Sequence, residues 1–72
     1  MMERGTIKSF SGRRGYGFIT ADDANVDGDV FFLIKNFRGD VPIARVGMSV
    51  VFEKERNPRN GKWKAKSLMI SE

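Results

Sequence analysis

Arg14-Gly15-Tyr16-Gly17-Phe18-Ile19 is the stretch from which the fold can be read. Side chains along a strand alternate between faces, so Tyr16 and Phe18 share one face and the glycines at 15 and 17 fall on the other. Glycine there lets another segment pack closely behind the aromatic pair, and Ile19 then points into a core. A cation in front of two rings on one exposed strand face suits the stacking of unpaired bases and the tracking of their phosphates. Aromatics at strand spacing also build ordinary cores, so the rest of the chain has to decide.

Working outward, residues 6–10 read as a strand with Ile7 inward and Lys8 outward, and Ser11-Gly12-Arg13-Arg14-Gly15 turns it into the aromatic strand over 16–20. That is a tight hairpin. Val30-Phe31-Phe32-Leu33-Ile34 is an apolar, β-branched and aromatic run of strand length, too short for a helix. Residues 35–47 contain Gly39, Pro42 and Gly47, which predict an irregular connection with room for one helical turn. A fourth strand is expected over 49–54. The turn Asn57-Pro58-Arg59-Asn60-Gly61 then leads into a fifth over 62–70, where Trp63, Ala65, Ser67 and Met69 alternate with Lys62, Lys64, Lys66 and Leu68. Five short strands, with no helical period and no repeat, predict an all-β, small, closed antiparallel barrel.

The chain of 72 residues is expected to form one domain, 1–72, burying about 60% of its unfolded surface. It has no cysteine and no histidine. Disulfides, thiolate or imidazole metal sites and the commonest general base are therefore excluded, so no metal, no cofactor and no enzymatic activity are expected. No apolar signal region opens the chain and no apolar run nears the ~20 residues of a membrane span. A soluble, unexported, cytoplasmic protein without a membrane partner is the expectation.

Thirteen Lys and Arg against nine Asp and Glu give a net charge of +4, which suits a polyanionic partner. The distribution is more telling. Over residues 20–29 the only charges are Asp22, Asp23, Asp27 and Asp29, whereas over 54–66 Lys54, Arg56, Arg59, Lys62, Lys64 and Lys66 meet Glu55 alone. Asn25-Val26-Asp27-Gly28 is also turn chemistry, so the acidic run reads equally well as a solvated loop.

Gly5-Thr6-Ile7-Lys8, Phe10, the motif from Arg14 to Ile19, Asp29-Val30-Phe31-Phe32, and Val46-Gly47 ahead of Val50-Val51-Phe52-Glu53 follow one another in an order and spacing that resembles the cold-shock domain. The resemblance covers almost the whole chain. It implies a five-stranded OB-type barrel that binds single-stranded RNA or DNA with limited sequence preference, and, in free-standing members, an RNA chaperone that melts weak secondary structure. It puts Lys8, Phe10, Arg14, Tyr16, Phe18 and Phe31 on the nucleic-acid face, Asp29 at its edge, and Ile7, Ile19, Val30 and Val50 in the core. The chain departs from the family where Ser9 replaces a tryptophan and Leu33 and Ile34 replace a histidine and a phenylalanine. The aromatic platform is thereby reduced, with Leu33 and Ile34 left to give apolar contact, and Phe37 aligns with a core aliphatic. An RRM is excluded by the lack of two amphipathic helices, and Gly12, Gly15 and Gly17 lack the order of a phosphate-binding loop.

The resulting expectation is a single-stranded nucleic-acid-binding module with stacking on Tyr16, Phe18 and Phe31. Phosphate contacts are expected from Lys8, Arg14 and the basic loop from Arg56 to Lys64, with Arg59, Lys62 and Lys64 among its cations. Trp63, bracketed by Lys62 and Lys64, either supplies the stacking ring missing at Ser9 or plugs the barrel end. A rival reading, in which the more aliphatic face binds a protein or a second copy of the chain, leaves monomer and homodimer both open.

Overall fold

The computed structural model describes residues 2–39 and 44–71. Among the described residues there are five strands, β1 (Met2–Ser11), β2 (Tyr16–Ala21), β3 (Val30–Leu33), β4 (Ser49–Arg56) and β5 (Trp63–Ile70), and one 3-10 turn, Ile34–Asn36, after β3. They close into a barrel in the order β1-β2-β3-β5-β4. The expected all-antiparallel arrangement is corrected at one seam, where β3 runs parallel to β5 through Phe31 and Lys64. The reason is parity: five neighbours in a closed ring cannot all alternate in direction, so one adjacent pair has to be parallel.

β1 begins earlier than its apolar residues suggest, because its first half pairs with β4, from Met2 opposite Glu53 to Thr6 opposite Ser49. Its second half pairs with β2. β3 stops one residue short of Ile34, whose N–H instead donates to the Gly15 carbonyl at 2.9 Å and starts the 3-10 turn. Pro42 lies outside the described residues.

Two bulges set which side chains face inward. In β1, Ile7 pairs with Ile19 and Ser9 with Phe18, so Lys8 is an extra residue and the alternation changes phase behind it. In β5, Ala65 pairs with Lys54 and Ser67 with Glu53, which makes Lys66 the extra residue. The strict alternation expected for β5 therefore fails after Ala65: Leu68 is fully buried opposite Phe52, and Met69 is 41% exposed. Ile7, Ile19, Val30 and Val50 are all in the core, as the family resemblance implied, together with Phe32, Phe52, Ala65 and Leu68. Phe37 packs on this core through an edge-on contact with Phe32, ring centres 5.9 Å apart.

Gly17 is required by this packing. A Cβ there would collide with the Ser9 carbonyl oxygen and lie 2.9 Å from both the Phe10 Cα and the Phe32 ring. Gly15 serves a different purpose. It sits in the β1–β2 turn rather than in the strand, at φ 76°, a left-handed conformation that suits glycine.

Candidate nucleic-acid interface

The pairing of β2 with β3 sets Tyr16 opposite Leu33 and Phe18 opposite Phe31, so these four side chains share the outer face of the two strands. Their partners one residue along, Gly17 and Phe32, face the core. Phe31 is the centre of the group. Its ring lies 5.4 Å from that of Tyr16 at 41° and 5.7 Å from that of Phe18 at 67°, within the range of favourable aromatic pairs. Phe18 is 37% exposed, and Ser9, opposite it on β1, adds no ring to the outer face.

From this face a cleft of about 440 Å³ runs toward the β4–β5 turn, with Phe18, Phe31 and Leu33 on one side and Asn57, Asn60 and Trp63 on the other. Lys62 and Lys64 also line it. Trp63 is half-buried, packs against the core, and contributes to the cleft wall at the same time. The two roles considered for this ring therefore coexist. The cations on the ring are Arg56, 4.2 Å from its centre, and Lys54, 4.9 Å away, both from β4. The expected bracket of Lys62 and Lys64 is replaced because neighbours along a strand point to opposite faces, whereas Arg56 lies directly across the ladder from Trp63. The indole N–H is buried without a hydrogen-bond partner among the described residues.

Arg14 stands at the other end of the aromatic face. Its guanidinium donates to the Tyr16 hydroxyl at 3.2 Å, and that hydrogen bond is the main cause that raises the arginine pKa above its ordinary value. The guanidinium, charged at every accessible pH, is held beside a ring by this contact.

A family model described as the 'Cold-shock' DNA-binding domain matches residues 3–70. The chain belongs to the cold-shock domain family. Cold shock protein 1 of Lactiplantibacillus plantarum is 37% identical to it over 59 residues, covering 81% of this chain and 85% of that protein. A cold shock protein of Arthrobacter globiformis is 57% identical over a shorter stretch of 30 residues, 42% of each chain. Among solved structures, drosophila Unr CSD456 superposes with a TM-score of 0.78 at 18% identity, over 100% of this chain and 27% of that one, a likeness of fold.

Within this cold-shock domain, Tyr16, Phe18, Phe31 and Leu33 come together, and Lys62, Trp63 and Lys64 join them through the cleft. Phe10 does not. It pairs with Gly17 and stacks on the buried Phe32, ring centres 5.9 Å apart and planes at 13°, on the core side of the ladder. The bulge at Lys8 explains this: counting by twos from Ile7 would put Phe10 outside, and the extra residue turns it in. Lys8, expected on the nucleic-acid face, is exposed and forms an ion pair at 3.0 Å with Asp29, the residue expected at the edge of that face. Lys64 is paired with Glu55 at 3.5 Å, while Arg59 and Lys62 are in no ion pair among the described residues. The acidic loop is organised as a turn, with the Asn25 N–H donating to the Asp23 carboxylate at 2.9 Å.

Asn36, Asn57 and Asn60 line the cleft without having been singled out from the sequence. The only signal for the last two was their position in a turn, where asparagine has a structural use of its own.

Proposed function

We propose that this cold-shock domain binds single-stranded RNA or DNA with low sequence preference, stacking bases on Tyr16, Phe18 and Phe31 and meeting phosphates with Arg14, Arg59 and Lys62. The observation that carries this reading is the contiguous outer face of three rings and Leu33, which continues into a cleft with cations at both ends. A fully paired duplex hides its base faces, whereas an unpaired strand offers one π-face per nucleotide to such a surface. Stacking is worth about 1 to 3 kcal/mol per base, so the absence of a ring at Ser9 makes this a weak binder. Weak, sequence-tolerant capture of unpaired segments also suits an RNA chaperone acting in the cytoplasm.

The test is titration of fluorescent oligothymidine and of a duplex of equal length across a salt series. Binding of the single strand only, with log K falling by about 0.7 per phosphate contact for each decade of salt, is expected. With the three contacts named above the slope is about −2, so affinity falls steadily toward physiological salt. A salt-insensitive affinity, or concentration-dependent dimerisation without nucleic-acid binding, would overturn the proposal in favour of a protein-interaction module.

A further inference from the structure

We propose that Asn60 is a site of spontaneous modification, in which the Gly61 nitrogen closes a succinimide on the Asn60 side chain and hydrolysis leaves aspartate or isoaspartate on the rim of the cleft. The site itself stands on the geometry of the β4–β5 turn, and its effect on binding rests on the single-strand reading above.

The asparagines of the chain are Asn25, Asn36, Asn57 and Asn60, followed by Val26, Phe37, Pro58 and Gly61. Ring closure needs the next backbone nitrogen to lose its proton and reach the side-chain carbon Cγ. Val26 and Phe37 crowd that approach with their side chains, and Pro58 has no N–H to lose. Gly61 presents neither obstacle. Asn57 and Asn60 form a natural comparison within one turn. The Asn57 Oδ1 accepts the Arg59 backbone N–H and the Asn60 Oδ1 accepts the Lys62 backbone N–H, each at 2.9 Å. A backbone N–H can only donate, so these bonds fix which end of each carboxamide is oxygen. On Asn60 that oxygen is where negative charge develops as the Gly61 nitrogen adds to Cγ, and the Lys62 N–H is placed as an oxyanion-hole donor. On Asn57 the same arrangement is idle, because the nitrogen that follows belongs to proline.

Asn60 and Gly61 are both exposed to water. The Gly61 N–H donates to the Asn57 carbonyl at 2.8 Å, and this bond has to open before the nitrogen loses its proton, so it paces the reaction. Water or hydroxide takes the amide proton, the N–Cγ bond forms, and the Cγ–NH2 bond breaks as its nitrogen takes a proton from water and departs as ammonia. A second water then cleaves the ring at the N–Cγ bond, giving aspartate, or at the bond to the Asn60 main-chain carbonyl carbon, giving isoaspartate. In sum a water enters and an ammonia leaves, with no change of oxidation state. The product carries a carboxylate on the cleft that Lys62 and Lys64 also line, so it opposes the phosphates that Lys62 is proposed to meet.

The experiment ages the full chain at mildly alkaline pH in water labelled with heavy oxygen, maps the label by peptide mass spectrometry, separates converted from unconverted folded protein by charge, and titrates each with oligothymidine. Label is expected at residue 60, in both aspartate and isoaspartate, with ammonia released in equal amount. Converted chains should bind roughly fivefold more weakly or worse, the Coulomb effect of one charge about 4 Å from a phosphate in water. Asn60→Gln, one methylene too long for the succinimide ring, should abolish the label at residue 60, and Asn60→Asp should bind weakly from the outset. If a variant fails to fold, the converted and unconverted fractions of the wild type supply the same comparison. An unlabelled residue 60, faster conversion at Asn25, Asn36 or Asn57, aspartate without isoaspartate, or converted chains that bind like unconverted ones overturns the inference while the single-strand reading stands. Unconverted chains that bind no oligothymidine overturn the single-strand reading and the binding effect together, and the label at residue 60 then decides the site alone.

Discussion

Phe31 and Phe32 are adjacent, chemically identical and on opposite sides of β3, so replacing each by alanine separates the outer face from the core. Phe32 is fully buried between Phe10 and Phe37, with ring centres at 5.9 Å on both sides. Phe32→Ala should cost about 3 to 5 kcal/mol, a large part of the roughly 4 to 11 kcal/mol expected for the whole domain at about 0.05 to 0.15 kcal/mol per residue. Phe31 loses less. Its contacts are two ring pairs, with Tyr16 at 5.4 Å and Phe18 at 5.7 Å, each worth about 0.5 to 1.5 kcal/mol beyond area burial. Phe31→Ala should therefore destabilise by about 1 to 3 kcal/mol and weaken oligothymidine binding by a further 1 to 3 kcal/mol or so. Urea unfolding followed by the emission of Trp63 gives the first quantity, and anisotropy of labelled oligothymidine, measured on protein shown to be folded, gives the second. The reasoning is refuted if the two variants lose equal stability and folded Phe31→Ala binds as tightly as the wild type, since the outer rings would then be an extension of the core.

Phe18→Ala, at the exposed margin of the same cluster, should lower affinity by about 1 to 3 kcal/mol with a smaller loss of stability than Phe31→Ala; equal losses in unfolding experiments would contradict that placement. Gly17→Ala should destabilise by about 1 to 3 kcal/mol or more, because the groups its Cβ would strike include the Ser9 carbonyl and the Phe10 Cα, which belong to backbone and cannot swing aside. A melting temperature like that of the wild type would refute the close approach of β1 and β2. Lys8 is held by Asp29 in an exposed ion pair worth about 0 to 1 kcal/mol, so Asp29→Asn should release the cation and tighten oligothymidine binding at low salt. Adding Lys8→Gln to the Asp29→Asn variant should then flatten the salt dependence by about 0.7, and an unchanged slope would remove the released Lys8 from the phosphate path. Trp63, the single tryptophan, should be quenched saturably as oligothymidine fills the cleft; constant emission at saturation, with binding confirmed by anisotropy, would exclude it from the site.

Residue types at a period of two determined a good deal. The spacing of Tyr16 and Phe18, the run at Val30-Phe31-Phe32, the glycine and asparagine turns and the absence of helical periodicity yield five strands, an outer aromatic pair and the inward Ile7 and Ile19, because alternation along a strand is a local property of the backbone. Tertiary structure decided whatever depends on which strand lies opposite. Phe10 turned inward and Leu68 became core because single extra residues, Lys8 and Lys66, shift the phase of β1 and β5. A bulge is a compromise between two paired strands, and one strand's pattern does not record it. Closure of five strands in a ring required the parallel contact of β3 with β5, and that contact brings the β4–β5 turn alongside the aromatic face. The cleft, the stacking of Arg56 on Trp63 and the engagement of Lys8 by Asp29 all join residues distant in the chain or on neighbouring strands. Local periodicity predicts the face a residue occupies, and only the closed barrel determines its neighbours on that face.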